Sequence, residues 1–155
     1  MQMDGNDNSA SLVFETSLLL VKHFRNILAL STTGRGFHTR IFSHALHPEV
    51  EFVFAGKSVA LRDGENGYPE HVVPCAVMIS EIKRLIGEEH MSDEEIASLL
   101  QKHWKIALIA PEEQQRLDSK DGMRWKDKMP PGWVFESGNT FARLEGAGIR
   151  LASAT

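Results

Sequence analysis

A glutamate stands directly before a histidine in the segment 68–74, which has the sequence YPEHVVP. Neighbouring side chains of an extended strand point to opposite faces. If Glu70 and His71 end a strand, one of them can hold a metal ion while the other faces a water. A carboxylate that anchors a cation, beside an imidazole that accepts a proton, provides the groups needed for a one-metal hydrolytic site. The same pair also occurs as an ordinary polar strand end after a turn, so the elements around it have to be considered.

Residue patterns predict an α+β fold in which helices surround a short antiparallel sheet. Apolar spacing, capping signals and proline positions predict helices at 12–30, 37–46, 75–86, 93–103, 111–118 and 141–146. Period-two alternation predicts a hairpin from 50 to 62, with its turn at 55–57. An apolar run predicts a buried strand at 104–109. The Glu70-His71 pair then lies at the end of a short strand that follows a glycine-rich loop.

Length and composition indicate one globular domain. The chain has 155 residues, and we expect a single domain at 12–150 between a disordered polar tail at 1–11 and a short tail at 151–155. The apolar run at 18–21 is far too short to cross a bilayer, so no membrane association is predicted.

Net charge and cysteine content exclude some classes of protein. The net charge of -4 argues against a generally basic nucleic-acid coat protein, although a local basic groove remains compatible with it. The single cysteine, Cys75, rules out an intramolecular disulfide and a cysteine-rich zinc site, and it fits a cytoplasmic protein. Because Cys75 lies in an apolar run, we expect it to be buried in the core.

The order of the elements around Glu70-His71 resembles the ββα-metal endonucleases, also called His-Me finger or HNH enzymes. In that family an acidic residue and a histidine end one strand, and a second strand leads directly into a helix that contributes another metal ligand. Here the corresponding parts are the strand ending in EH, the strand at 104–109 and the helix that opens at Pro111. The resemblance covers 68–118, about a third of the chain, with two helices inserted between the strands.

The resemblance implies a set of roles for individual residues. Glu70 would be a ligand of a divalent metal, Mg²⁺ or Zn²⁺, and a neutral His71 would be the general base that activates a water against a phosphodiester. The helical ligand would fall at Gln114, with Glu113 as its neighbouring candidate. The family usually has histidine or asparagine there. A glutamine carbonyl oxygen suits a hard cation such as Mg²⁺ better than it suits Zn²⁺.

Two groups of side chains are candidates for contacting DNA or RNA. The first group consists of Arg124, Trp125, Lys126 and Lys128. Its cations can contact phosphates, and its aromatic ring can stack on bases. The alternative for this segment is a C-terminal arm whose tryptophans pack on the core. Arg35 and Arg40 form a second pair that can contact phosphates.

The remaining histidines and the cysteine give weaker signals. His38, His44 and His47 cluster around the second predicted helix, where surface and capping roles are favoured over a metal site. Cys75 follows His71 by four residues, but we interpret that spacing as coincidental, and no Gly-x-Ser-x-Gly motif is present. A serine or cysteine hydrolase is therefore not favoured.

The sequence leads to two functional hypotheses of different classes. The first is a nucleic-acid-binding protein that acts as a metal-dependent phosphodiester hydrolase. The second is a non-catalytic binding or regulatory protein, such as a bacterial or phage inhibitor that captures a protein or nucleic-acid partner.

Overall fold

The computed structural model describes residues 2–31, 35–119, 122 and 124–152, with side chains from residue 8 onward. The elements, in chain order, are α1 Gln2–Leu30, α2 Ile41–Ala45, α3 Glu49–Val53, β1 Phe54–Lys57, β2 Tyr68–His71, α4 Cys75–Glu88, α5 Asp93–His103, β3 Ile106–Ile109, α6 Pro111–Asp118 and α7 Ala142–Gly146. The fold is α+β, as predicted. None of the helices in this described part of the chain is long and apolar enough to cross a bilayer.

The sheet has three strands in the order β1-β3-β2, with β3 in the centre. β2 pairs antiparallel to β3, so that Glu70 lies opposite Ala107 and His71 lies opposite Ile106. β1 pairs with β3 in parallel, which makes the sheet mixed, whereas a purely antiparallel sheet was expected. β2, β3 and α6 therefore form two antiparallel strands followed, after a single residue, by a helix.

The predicted hairpin at 50–62 is wrong. Residues of its first strand form the helix α3, and its predicted turn at 55–57 is part of β1. Pro48 precedes α3 in an extended conformation, and Glu49 and Glu51 stand in the first helical turn, where carboxylates are favourable. Ser58 forms one isolated bridge with Leu151 and does not begin a returning strand.

Two apolar clusters pack on the two faces of the sheet. The larger one joins α1, α4 and α5 to Ile106 of β3 and includes the fully buried Trp104. The smaller one contains Ala107 and Ile109 together with residues of α6 and α7. Successive residues of β3 thus point into different clusters, as the period of a strand requires.

The other predicted elements agree with the structure to within a few residues, except at the N-terminus. α1 begins at Gln2, so its backbone includes most of the segment 1–11 that we expected to be disordered. Ser92 caps α5 as predicted, since its hydroxyl accepts a hydrogen bond from the Glu95 amide at 3.1 Å. Residues 1 and 153–155 of the predicted tails lie outside the described residues, and the proposed domain limits stay predictions.

Candidate functional site

One cavity of about 360 Å³ opens where β2 ends. It lies between that strand, α2, the first turn of α4, the last turn of α6 and the segment 126–127. Its charged or reactive lining residues include Arg40, Glu70, His71, Cys75, Asp118 and Lys126. The predicted Glu70-His71 pair is therefore at a cavity, together with groups from distant parts of the chain.

Glu70 is held by a buried arginine. The Arg143 side chain is 0% exposed, and its Nη2 donates to Oε1 of Glu70 at 2.6 Å. Arg143 also donates to the backbone carbonyls of His71, Trp125 and Lys126. No described group donates to Oε2 of Glu70, whose carboxylate lines the cavity.

Burial and charge act on Glu70 in opposite directions. Burial raises the pKa of Glu70 above its ordinary value, and Arg143 offsets only part of this effect. Asp118 raises the pKa further, because two like charges disfavour each other. A cation placed between Glu70 and Asp118 would relieve that repulsion.

Asp118 is the site residue that sequence reasoning missed. It ends α6, four residues after Gln114, so both side chains lie on the same face of the helix. The amide nitrogen of Gln114 donates to Oδ2 of Asp118, and only Asp118 of the two lines the cavity. The i, i+4 spacing from Gln114 was the signal that would have identified Asp118.

Glu113 has a structural position. It is 5% exposed; its Oε1 accepts from the Ala110 amide at 2.9 Å, and its Oε2 accepts from the Ser58 hydroxyl at 2.9 Å. These bonds close the N-terminus of α6 and tie it to the segment after β1. The structure does not bring Glu113 to the cavity that Glu70 lines.

His71 is fixed by a second buried carboxylate. Its Nε2 lies 2.7 Å from Oε2 of Glu49, which also accepts from Nε1 of Trp104 at 2.6 Å. Burial lowers the pKa of His71, but contacts of the ring with Cys75 and with Glu49 outweigh burial and raise that pKa to about 10. This shift favours a protonated His71 ring at neutral pH, whereas a general base has to be neutral. The role of His71 as the general base stays a prediction.

The cavity presents carboxylates as possible ligands of a cation. Among the described residues, no three His, Cys, Asp or Glu side chains form a group that could hold a metal ion. Glu70 of β2, Asp118 of α6 and Asp127 line the cavity, and Asp118 lies near enough to Glu70 to raise its pKa. Mg²⁺ is commonly held by one or two carboxylates together with waters and substrate phosphates, whereas Zn²⁺ requires a fuller set of nitrogen or sulphur ligands.

The residues predicted to bind nucleic acid are only partly brought together. Arg40 and Lys126 line the cavity, and Arg35 lines a separate cavity at the end of α1. Trp125 is half-buried, and its ring lies against Gly146 of α7. Of the two tryptophans in this segment, Trp133 packs against the larger apolar cluster, whereas Trp125 contacts α7. Arg124 and Lys128 are exposed and do not line the cavity.

Comparisons of this chain with family models, with curated proteins and with solved structures found no match. The chemistry of the site is therefore inferred from its own residues and their geometry.

Replacing Arg143 with methionine tests the buried ion pair. Removal of one partner leaves the Glu70 carboxylate and three backbone carbonyls without their donor, so we expect Arg143→Met to lower the free energy of unfolding by ~3–5 kcal/mol. Urea denaturation followed by circular dichroism measures this change. The exposed Arg150→Met variant is the control, expected within about 0.5 kcal/mol of the parent. An equally small change for Arg143→Met would contradict the structural role.

The raised pKa of His71 predicts a specific pH dependence. The folded protein holds this proton more tightly than the unfolded chain, where the pKa is about 6.5. The stabilisation from His71 is therefore complete below pH ~6.5 and is lost as the pH rises towards 10. In NMR titrations, the His71 ring should keep its proton between pH 6 and 8, while His71→Gln removes the assigned signal. A His71 ring that titrates near 6.5 would contradict the assignment.

Proposed function

We propose that this protein binds nucleic acid and hydrolyses phosphodiester bonds with Mg²⁺ at the cavity described above. The observation that carries the proposal is the convergence of Glu70 and Asp118 on one cavity, beside the cations Arg40 and Lys126. The strand–strand–helix order of β2, β3 and α6 supports the resemblance to ββα-metal endonucleases, because the two strands are paired antiparallel.

Glu70 and Asp118 would hold the metal ion. When bound, Mg²⁺ would polarise the scissile phosphate and favour ionisation of the attacking water. Arg143 holds Oε1 of Glu70, so Oε2 would be the oxygen that binds the metal ion. Arg40 and Lys126 would bind the flanking phosphate oxygens, since charge-assisted hydrogen bonds to phosphate are strong.

The protonated His71 fits the role of general acid. A water oxygen bonds to phosphorus, the bond between phosphorus and the leaving oxygen breaks, and His71 gives its proton to that oxygen. Nε2 is engaged with Glu49, so the proton would leave from Nδ1, where the leaving oxygen would have to replace the Cys75 thiol beside the ring. Glu49, anchored by Trp104, holds the ring in place and stabilises its charged form. The proton that the water loses passes to solvent, from which His71 is protonated again.

A cleavage assay with matched variants tests the proposal. With Mg²⁺ or Mn²⁺ and labelled single-stranded DNA, RNA and duplex DNA, the parent protein should cut at least one substrate. Both Asp118→Asn and His71→Ala should lower the rate ~100-fold or more, while the exposed Asp63→Asn should not change it. Thermal unfolding of each variant shows that a loss of rate is not a loss of fold.

Absence of cleavage with every metal and substrate would contradict the enzymatic proposal. It would favour the second hypothesis, a non-catalytic regulator that captures a protein or nucleic-acid partner. A cytoplasmic location belongs to the proposal as well, because a reducing compartment would keep the half-buried thiol of Cys75 reduced beside the site.

One observation favours a second candidate function at the same cavity. Cys75 is the first residue of α4 and lines the same cavity as His71, whose pKa it raises and whose Nε2 is held by Glu49. A thiol, an imidazole and an orienting carboxylate in this order are the groups used in thiol-dependent acyl transfer. Cys75 and His71, whose spacing we interpreted as coincidental from the sequence, both line this cavity.

A Cys75→Ala variant separates the two candidates. Metal-dependent nucleic-acid cleavage should persist in this variant if Glu70 and Asp118 carry the reaction. If Cys75 is a nucleophile, the parent protein should release p-nitrophenol from p-nitrophenyl acetate without metal and form an acylated protein that mass spectrometry detects. Cys75→Ala should then abolish that acylation.

A further inference from the structure

A second cavity adjoins the first. It has a volume of about 390 Å³, and Arg40 lines both. We call it the His38–His44 groove and define it by its lining residues, which are Gly36, His38, Arg40, Ile41 and His44. A third cavity, which shares Gly36 with this groove, continues to the end of α1 and includes Arg35. Together they form a path from the cavity at Glu70 to the end of α1.

The charge of this path differs from that of the proposed metal site. No acidic residue is among the described residues that line the groove or the third cavity. Arg40 is exposed and forms no ion pair with any described carboxylate, whereas Arg25, Arg84 and Arg143 are each paired with acidic side chains. The guanidinium of Arg40, which lines both cavities, is therefore not engaged by any described carboxylate.

The groove residues are held in position by local hydrogen bonds. Nδ1 of His38 accepts from the Arg40 amide at 3.0 Å, which leaves Nε2–H of that ring directed to other partners. The Ser43 hydroxyl donates to the Arg40 carbonyl at 3.0 Å at the start of α2. His44 stands on α2 as an exposed ring beside the same groove. Two imidazole rings and one guanidinium therefore line the same groove.

We propose that the His38–His44 groove binds a single-stranded segment of nucleic acid and leads it into the cavity. Arg40 contacts the phosphate at the junction, and the rings of His38 and His44 stack on unpaired bases. Aromatic rings reach base faces only where the bases are not paired, so this surface selects single strands over duplexes. The inference rests on the proposed function, for which it names the substrate class.

The test measures binding without catalysis. Fluorescence anisotropy with a short labelled oligonucleotide, in EDTA, gives Kd for single-stranded DNA, single-stranded RNA and duplex DNA. We expect tighter binding of a single strand than of duplex, and an increase in Kd of about tenfold or more for the His38→Ala/His44→Ala double variant. Arg40→Ala should weaken binding and reduce the salt dependence of log Kd by about one phosphate contact.

Matched controls separate the groove from general charge. His90→Ala removes an exposed imidazole, and Arg150→Ala removes an exposed guanidinium beside the opposite edge of the sheet. Both should bind the single strand as the parent does. Equal affinity for duplex and single strand, or unchanged Kd in the groove variants, would overturn the inference.

The two proposals fail in different ways. Single-strand binding that depends on the groove, without cleavage in Mg²⁺, would overturn the hydrolase and leave the groove in place. Cleavage with groove variants that bind and cut like the parent would overturn the groove and leave the hydrolase. If the parent protein binds no nucleic acid at all, both proposals are wrong.

Discussion

The candidate site depends on one buried ion pair. Arg143 has no exposed surface, and its guanidinium is satisfied by Glu70 and by three backbone carbonyls. A buried charge costs several kcal/mol unless such partners surround it. Since Arg143 belongs to α7 and Glu70 to β2, the pair attaches the C-terminal part of the chain to the strand end. The direction of the Glu70 carboxylate is thereby fixed by residues far away in sequence.

A second buried carboxylate performs a parallel task for His71. Glu49 joins Trp104 to the imidazole, so the ring is fixed from the interior and its pKa is raised. The two neighbouring residues of the predicted motif are thus each held by a partner of opposite charge. Both pairs therefore orient side chains that line the same cavity.

Local signals predicted much of the fold, and long-range contacts account for most of what they missed. The Ser92 cap, the proline that opens α6 and the apolar run of β3 are short-range features, and each appears as expected. The alternation at 50–54 wrongly predicted a strand, because this segment forms α3. The packing of α3, with Glu49 turned inward, overrides strand periodicity. Glu49 contacts His71 from 22 positions away in the sequence, and Arg143 contacts Glu70 from 73 positions away. Local sequence patterns do not reveal contacts of this range. Asp118, by contrast, could have been identified from the sequence, because it follows Gln114 by four residues on a predicted helix.

The central claim is that Glu70 and Asp118 together bind one divalent cation. Titration of Mn²⁺ followed by electron paramagnetic resonance, with Mn²⁺ as a spectroscopic substitute for Mg²⁺, tests it most directly. The account predicts one Mn²⁺ bound per chain, lost in Asp118→Asn and retained in Asp63→Asn. Absence of a bound ion in the parent protein, or unchanged binding in Asp118→Asn, would contradict it.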